Sequence, residues 1–219
     1  MNRSIILIVL VLAGYVAIGC NDKDAPVVLP PAPEYTLPFP DTPDQLMENF
    51  ETAYAGMDLA VYRDEVLAET YDFVLTAETV EEFELPDNVF DRDEELAIAQ
   101  KMFSDQPNQN GVVVSNIQIQ SLQPQGAWLA VPDTDPYFGN QPGVLLRSYD
   151  ILCYFNAQGG DFRYEVRGNQ LFYVVPDTVM HEGVMTPRYR LRGQLDQTGA
   201  IGPKSTESTT WGTVKALYE

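Results

Sequence analysis

The pattern of apolar and polar positions changes from a helical period to an alternating one at Gly111. Before that point apolar residues recur every three or four positions, and this spacing predicts amphipathic helices over 43–55, 59–66 and 92–103, with one strand over 70–76. After it, alternation predicts strands over 112–122, 127–131, 145–156, 162–166, 170–175 and 189–195. Helices followed by strands are typical of an α+β fold with an antiparallel sheet.

Two of the predicted helices begin with capping residues. Thr42 is a predicted N-cap and Pro43 the first helical residue, and Gln45 at the third helical position would complete a capping box with Thr42. Asp91 and Glu94 have the same spacing at the start of the helix over 92–103. These signals place the first helix directly after residue 41.

Four further segments are interpreted from composition. The acidic stretch 78–90 and the proline- and glycine-rich stretch 132–143 are predicted to be loops. The pair Gly168-Asn169 predicts a hairpin turn between two strands. The stretch 209–218 is apolar enough to pack on the domain.

The order of these elements resembles the nuclear transport factor 2-like superfamily. The segments that carry the resemblance are TPDQLMENFETAYAGMDLAVYRDEVLAETYDFVL, DRDEELAIAQKMF and YEVRGNQLFYVV. The chain departs from close members at Asp91, near which a tryptophan is common, and at Tyr189-Arg190-Leu191, where Trp-x-Leu is common. The resemblance covers 42–219. It implies an α+β cone in which N-terminal helices pack on a curved antiparallel sheet and leave a pocket at the open end.

The N-terminal segment has the three parts of an export signal. Arg3 is followed by the apolar stretch 5–16, which is shorter than the roughly 20 residues of a membrane-spanning helix. The sequence Ala17-Ile18-Gly19-Cys20 then resembles the bacterial lipobox, in which the cysteine thiol is acylated and the chain is cleaved just before the cysteine. The resemblance implies a bacterial lipoprotein with signal peptide 1–19 and lipidation at Cys20, and membrane lipid as its partner through that anchor.

A tether is predicted between the lipid and the domain. Residues 20–41 contain Cys20 and a dense run of prolines, which favours extended polyproline II at about 3.1 Å per residue. By resemblance to enterobacterial sorting, Asn21 after the cysteine favours the outer membrane if the source is Gram-negative. The expected division is signal peptide 1–19, lipidated tether 20–41 and domain 42–219, in the bacterial cell envelope.

Charge and cysteine content narrow the possible partners. The formal net charge is −19, so phosphate backbones are repelled and a nucleic-acid partner is not expected. The hydrophobic fraction of 45% is ordinary for a globular domain. If Cys20 carries lipid, Cys153 has no disulfide partner, and its apolar surroundings predict that it packs as a small hydrophobic residue.

The residue inventory gives little support for catalysis by metal or nucleophile. His181 is the only histidine, and it is predicted to lie in a loop between strands. One histidine and one thiol are too few for a zinc site without carboxylate ligands. The acidic stretch 78–95 lacks the glycine and the spacing of a calcium loop. We therefore expect no metal and no cofactor.

The resemblance includes isomerases and dehydratases that place an acid or base inside the cone. The weak catalytic candidates here are Asp72 and Asp150, and we expect at least one of them to face solvent. A possible binding pocket would be lined by Tyr54, Tyr62, Phe73 and Phe103. We expect that no residue is catalytic.

Three hypotheses on function follow. The chain is predicted to be a membrane-anchored envelope lipoprotein whose domain is a non-catalytic module that binds a small apolar ligand or an envelope protein. The alternatives are a cone-pocket enzyme of isomerase, dehydratase or hydrolase type, and a purely structural envelope protein. An open apolar pocket holding a buried carboxylate beside a tyrosine hydroxyl would favour the enzyme, whereas a filled cone would not.

Overall fold

The N-terminal anchor predictions lie outside the part of the chain that can be described. The structure, a computed structural model, describes residues 35–139, 141–160, 162–198 and 207–219. The predicted signal peptide, Cys20 and most of the tether fall before these ranges, so they stay predictions. Within the described ranges no helix is long and apolar enough to cross a membrane.

The described helices lie near the two ends of the domain in sequence. Four lie near the N-terminus and one at the C-terminus, and their bounds are α1 Pro43–Ala55, α2 Leu59–Val61, α3 Ala77–Phe83, α4 Arg92–Phe103 and α5 Trp211–Ala216. Helix α2 continues as a π-helical turn over Tyr62–Val66. The predicted N-caps are present: Thr42 accepts the Gln45 backbone N–H at 3.1 Å, and Asp91 and Glu94 form both halves of a capping box. The box predicted at Thr42 is only half formed, because the Gln45 side chain donates to Glu48 and Asn49 instead.

The strands form one sheet in the described part of the chain. Their bounds are β1 Leu67–Val74, β2 Val89–Asp91, β3 Val114–Ala130, β4 Leu145–Ala157, β5 Arg163–His181, β6 Val184–Thr198 and β7 Glu207–Thr209. The order is β2-β1-β6-β5-β4-β3, with β7 beside β5. Pairing is antiparallel except between β1 and β6 and between β5 and β7. The predicted α+β fold, with N-terminal helices on a curved antiparallel sheet, is confirmed, and this is the architecture expected from the resemblance.

The acidic stretch 78–90 is not a loop, as predicted, but contains α3 and β2. Thr76 is the N-cap of α3, and its side chain accepts the Thr79 backbone N–H. The acidic composition of the stretch gave no sign of this cap. Strand β2 then pairs antiparallel with β1. The capping threonine and the sheet edge together override the loop-like composition.

The predicted turn at Gly168-Asn169 is also wrong. Strand β5 runs through it without interruption, and Gly168 adopts a φ of 133° inside the strand. The hairpin turns instead at Glu182-Gly183, where φ is 50° and 81°. Two successive positive φ angles suit the right-handed twist of a two-residue hairpin, which explains the position of the turn.

The segments predicted as two strands over 112–122 and 127–131 form the single strand β3. Its register against β4 shifts between Val114 and Asn116 and again at two later points. Such bulges break the alternation that sequence patterns rely on, and this accounts for the apparent interruption.

The main core lies between the helices and one face of the sheet. On β4 the buried residues alternate as Tyr149, Ile151, Cys153 and Phe155, which fixes that strand's inward face. On α4 the apolar buried residues are Ile98, Ala99 and Met102, and Phe103 is only partly buried.

The opposite face of the sheet carries a smaller apolar cluster. Phe138, from the loop between β3 and β4, packs on Tyr173 with ring centroids 4.0 Å apart. It lies directly over Gly193, where an added Cβ would come within 2.3 Å of the phenyl ring. A side chain at position 193 would therefore displace the loop from the sheet.

Residues 35–40 pack on the domain although they were predicted to belong to the tether. The backbone N–H groups of Thr36 and Leu37 donate to the Glu65 carboxylate at 2.7 and 3.1 Å. The ring of Phe39 stacks on His181 with centroids 4.0 Å apart. The packed part of the chain therefore begins before the predicted boundary at residue 41.

Candidate functional site

A buried ion pair occupies the interior between the helices and the sheet. Glu95 and Lys215 are both 0% exposed, and the Lys215 ammonium donates to both oxygens of the Glu95 carboxylate. The Tyr62 hydroxyl donates to Glu95 Oε1 at 2.9 Å. Two opposite charges without water are tolerated only when they are paired and hydrogen-bonded, as they are here.

Aromatic faces complete the surroundings of the ammonium. Lys215 Nζ lies 4.5 Å from the centroid of the Phe73 ring and 5.7 Å from that of Tyr54, within the range of cation–π attraction. We call the set formed by Glu95, Tyr62, Phe73 and Tyr54 the ammonium cage. It offers a cation one carboxylate and three aromatic side chains.

The electrostatics of the cage follow from burial. Burial lowers the pKa of Lys215, and the neighbouring Glu95 carboxylate opposes that effect. Burial, followed by the Glu95 charge, raises the pKa of Tyr62 well above its usual value. Tyr62 therefore stays protonated and donates its hydrogen to Glu95.

Local structure brings the members of the cage together from four elements. The capping box at Asp91 sets the start of α4, so Glu95 falls on the same helical face as Ile98 and Ala99 and points inward. Tyr62 opens the π-helical turn after α2, Phe73 lies on the inward face of β1, and Tyr54 lies on the buried face of α1. Lys215 reaches the cage from α5.

Helix α5 is fixed at its N-terminal end by a second buried carboxylate. Asp196 accepts the Gly212 backbone N–H at 2.6 Å and the Thr198 backbone N–H at 2.9 Å. Thr198 Oγ1 in turn accepts the Trp211 backbone N–H at 2.9 Å. Burial raises the pKa of Asp196, and these hydrogen bonds oppose the rise.

The approach of α5 to the sheet requires glycine at position 212. A Cβ there would lie 2.8 Å from Leu75 Cδ2 and 2.9 Å from Asp196 Oδ2. At the other end of the segment, Lys101 Nζ donates to the Tyr218 backbone oxygen at 2.7 Å. The C-terminal segment is thus held at both ends.

Trp211 fills the space next to the cage. It is 0% exposed, and its ring centroid lies 5.2, 5.9 and 6.2 Å from those of Tyr54, Phe155 and Phe50. The Tyr54 hydroxyl and the Trp211 indole N–H are buried beside each other without a hydrogen bond of normal geometry. Burial raises the pKa of Tyr54, and the nearby indole opposes that rise.

The four predicted pocket residues meet in this interior. Tyr54, Tyr62 and Phe73 are 0% exposed, and Phe103 is partly buried with its ring centroid 5.3 Å from that of Tyr54. They pack against each other and against α5. None of them lines any of the three cavities described for the domain.

Asp72 and Asp150 lie on the face of the sheet that points away from the helices. Asp72 forms an ion pair with Arg192 at 2.8 Å and lines a surface cavity of about 240 Å³. Asp150 is exposed on β4. Both alternate with residues of the main core, such as Tyr71 and Ile151, so the strand phase directs them outward.

The histidine and the internal cysteine have structural surroundings. His181 is the last residue of β5 rather than part of a longer loop, and it is partly buried against Phe39. Cys153 is fully buried, and burial raises the pKa of its thiol, in agreement with packing as a small apolar side chain. Within the described ranges no cluster of three or more His, Cys, Asp or Glu side chains is arranged for a metal.

A polar groove of about 1060 Å³ opens on the surface where α3 meets α5. Six threonines and three glutamates contribute to it, which makes it polar and acidic. Hydroxyl contacts join the two helix starts: Thr79 Oγ1 lies 3.1 Å from Thr76 Oγ1 and 3.1 Å from Thr210 Oγ1. The groove is lined by Thr76, Glu78, Thr79, Glu82, Phe83, Glu84, Gln109, Asn110, Tyr164, Gln197, Thr198, Thr209, Thr210, Thr213 and Leu217.

The sequence analysis missed Glu95, Lys215 and Trp211 as members of the interior site. Glu95 was hidden because it follows Asp93 and Glu94, which are ordinary in the first turn of a helix. Lys215 did carry a signal, since it is the one cation within the otherwise apolar segment 209–218. A lone charge in a segment predicted to dock suggests a buried counter-charge.

Comparison with known proteins adds only distant structural matches. No protein-family model and no curated protein sequence matches the chain. A conserved protein from Planctomyces limnophilus is 10% identical, with a TM-score of 0.45 over 69% of this chain and 89% of that one. The S. rosetta CaMKII hub is 12% identical, with a TM-score of 0.40 over 71% and 92%.

A third match is the hexachlorocyclohexane dehydrochlorinase LinA-type3 from Novosphingobium barchaimii. It is 8% identical, with a TM-score of 0.36 over 75% of this chain and 88% of that one. At such identities and scores none of the three supports a conclusion about activity. The α+β architecture is evident from the helices and strands of the chain itself.

Proposed function

We propose that this chain is a lipid-anchored lipoprotein of the bacterial cell envelope whose domain is a non-catalytic binding module. The position of α5 is the observation that supports a non-catalytic binding module. Trp211 and Lys215, both 0% exposed, occupy the interior in which a cone-shaped domain would hold a substrate. An interior filled by the chain's own side chains leaves binding to the outer surface.

The proposed lipid anchor rests on the N-terminal sequence. A positive residue, an apolar run and the sequence Ala17-Ile18-Gly19-Cys20 together form a lipoprotein signal. The thiol of Cys20 is the group that could form a thioether to diacylglycerol. Several buried acyl chains, at about 0.8 kcal/mol per methylene, would give a stable anchor.

Cys20→Ser is expected to abolish lipidation and processing together. The variant should remain an unprocessed precursor and lose metabolic palmitate labelling, because serine cannot form the thioether. Gel mobility and labelling of whole cells measure both effects, with Cys153→Ser as the matched control that keeps its label. Labelling that survives in the Cys20→Ser variant would contradict the anchor.

The groove between α3 and α5 is the surface best suited to a partner. Its threonine hydroxyls offer hydrogen bonds, and its glutamates give it a negative charge. A polar, acidic groove suits a neutral or basic protein segment better than the small apolar ligand considered from the sequence. We therefore propose another envelope protein as the partner.

Reversing one charge in the groove should weaken capture of this partner. Glu82 lines the groove on α3, whereas its exposed neighbour Glu81 does not. Glu82→Lys should reduce recovery of crosslinked partner from detergent-solubilised envelope, and Glu81→Lys should leave recovery at the wild-type level. Equal recovery with the two variants, measured by quantitative mass spectrometry, would exclude the groove as the binding surface.

A further inference from the structure

We infer that residues 175–190, which form the hairpin between β5 and β6, dock on the lipid bilayer through an apolar tip. We call this hairpin the arm. Docking rests on the lipid anchor proposed above, and it adds which side of the domain faces the membrane. The interior of the domain takes no part in it.

The arm projects beyond the rest of the sheet. Pairing of β5 with β4 ends at Val174, and pairing of β6 with β1 begins at Leu191. Within the described sheet, residues 175–181 and 184–190 therefore pair only with each other, over about 20 Å at about 3.3 Å per residue. A two-stranded projection buries few of its own side chains, so its tip is open to a partner.

The tip of the arm is apolar and exposed. Val184 and Met185, directly after the turn, are 64% and 58% exposed. Met185 lies opposite Met180 on one face of the arm, and Val184 lies opposite His181 on the other face. Both faces of the tip thus present apolar side chains that bury little area on folding. Exposed apolar surface of this kind marks a contact with a protein or a membrane.

The position of the anchored segment favours the membrane. Tyr35 and Phe39 have ring centroids 5.8 and 4.0 Å from that of His181, the last residue of β5. The chain that comes from the lipid therefore reaches the domain at the tip of the arm. Residues 20–34, which join the proposed lipid to this point, span at most about 50 Å when fully extended. A domain held by this connection presents the arm to the bilayer.

The charges of the arm also suit a lipid surface. Residues 178–187 contain Glu182 as their single carboxylate, in a chain with a net charge of −19. At the base of the arm, Arg190 donates to the Leu67 backbone oxygen at 2.8 Å and forms no ion pair within the described ranges. The arm therefore approaches anionic head groups with less repulsion than the acidic remainder of the surface. Tyr35 beside the tip is a residue type enriched at membrane interfaces.

Docking through the arm leaves the groove between α3 and α5 free. Tyr164, near the start of β5, lines the groove, and His181 ends the same strand at the tip of the arm. The two surfaces thus lie at opposite ends of β5. A protein partner in the groove does not compete with the bilayer for the domain.

Quenching by spin-labelled lipids tests the contact. The lipidated full chain is reconstituted in phosphatidylethanolamine–phosphatidylglycerol vesicles, with an environment-sensitive fluorophore on Val184→Cys. Gln158→Cys is the matched control, because it is exposed in the turn between β4 and β5 at the opposite end of the sheet. Cys153 is fully buried and should not react, which the parent chain checks. Lipids labelled near the glycerol should quench the fluorophore at 184 strongly and the one at 158 weakly.

Two substitutions beside the label separate the protein's own contact from that of the fluorophore. Met185→Asp should remove most of the quenching at 184, because a carboxylate resists transfer out of water. Met185→Leu keeps the apolar side chain and should keep the quenching. Since Met185 is mostly exposed, both variants should retain the circular dichroism spectrum of the parent.

Flotation of the vesicles reports the anchor, whereas quenching reports the arm, so the two can fail separately. A chain that floats with the vesicles but is quenched equally at 184 and 158 would overturn docking of the arm and leave the anchor intact. Loss of flotation would overturn the anchor and docking with it. A label at 184 that is shielded from aqueous iodide without being quenched by the lipids would assign the tip to a second protein chain, which also overturns membrane docking.

Discussion

Removing either charge of the buried pair is expected to lower the free energy of unfolding by about 3–5 kcal/mol. Glu95→Gln would leave the Lys215 ammonium in the core without a counter-charge, and Lys215→Met would do the same to the Glu95 carboxylate. In water each ion is well solvated, so the unfolded chain does not share this penalty. Urea unfolding followed by circular dichroism measures both losses.

The double variant distinguishes a paired charge from two independent core residues. Glu95→Gln keeps an oxygen that can accept from the Tyr62 hydroxyl, and Lys215→Met keeps most of the lysine volume. The combined loss should be smaller than the sum of the single losses by about 2 kcal/mol or more, because neither charge is left alone. Additive losses would contradict direct pairing. The exposed pair Arg63–Asp64 provides the control, since Asp64→Asn should leave the midpoint nearly unchanged.

Trp211→Ala is expected to cost about 3–5 kcal/mol, as large-to-small substitutions in a packed core do. The indole is fully buried among Phe50, Tyr54 and Phe155, and its loss leaves a space that these rings cannot all fill. The variant should also bind a hydrophobic dye more strongly than the wild type, because α5 loses its main apolar contact. Urea unfolding and dye fluorescence measure the two effects.

The second tryptophan of the chain is a matched control for that substitution. Trp128 is only partly buried, and its indole N–H donates to Asp44 at 3.0 Å on the surface. Trp128→Ala should therefore cost clearly less than Trp211→Ala and should not change dye binding. A similar loss for both variants would show that α5 contributes no more to the core than a surface contact does.

Local signals made α1, α4 and β1 predictable. The caps at Thr42 and Asp91 and the periodicity after them fixed α1 and α4, because these features act over a few residues. The phase of β1 was also predictable: Tyr71 and Phe73 point inward and Asp72 outward. Caps, helix periodicity and strand phase could be predicted because each depends only on residues that are close in sequence.

The interior site was not predictable because it joins residues distant in sequence. Glu95 and Lys215 are separated by most of the sheet, and no pattern at either position encodes the other. The prediction of a hairpin turn at Gly168-Asn169 was wrong for a related reason. Gly168 resembles a turn residue locally, but pairing with β4 and β6 holds it within β5. Tertiary pairing decided both cases.

Helix α5 closes the interior of the domain as a permanent part of its core. Amide hydrogen exchange of the wild-type chain tests it most directly, because it reports how often α5 opens. We expect the amides of Gly212, Val214 and Leu217, which donate within the folded domain, to exchange as slowly as those in the middle of α4. Exchange of the 211–217 amides at rates typical of an exposed loop, while α4 stays protected, would contradict it.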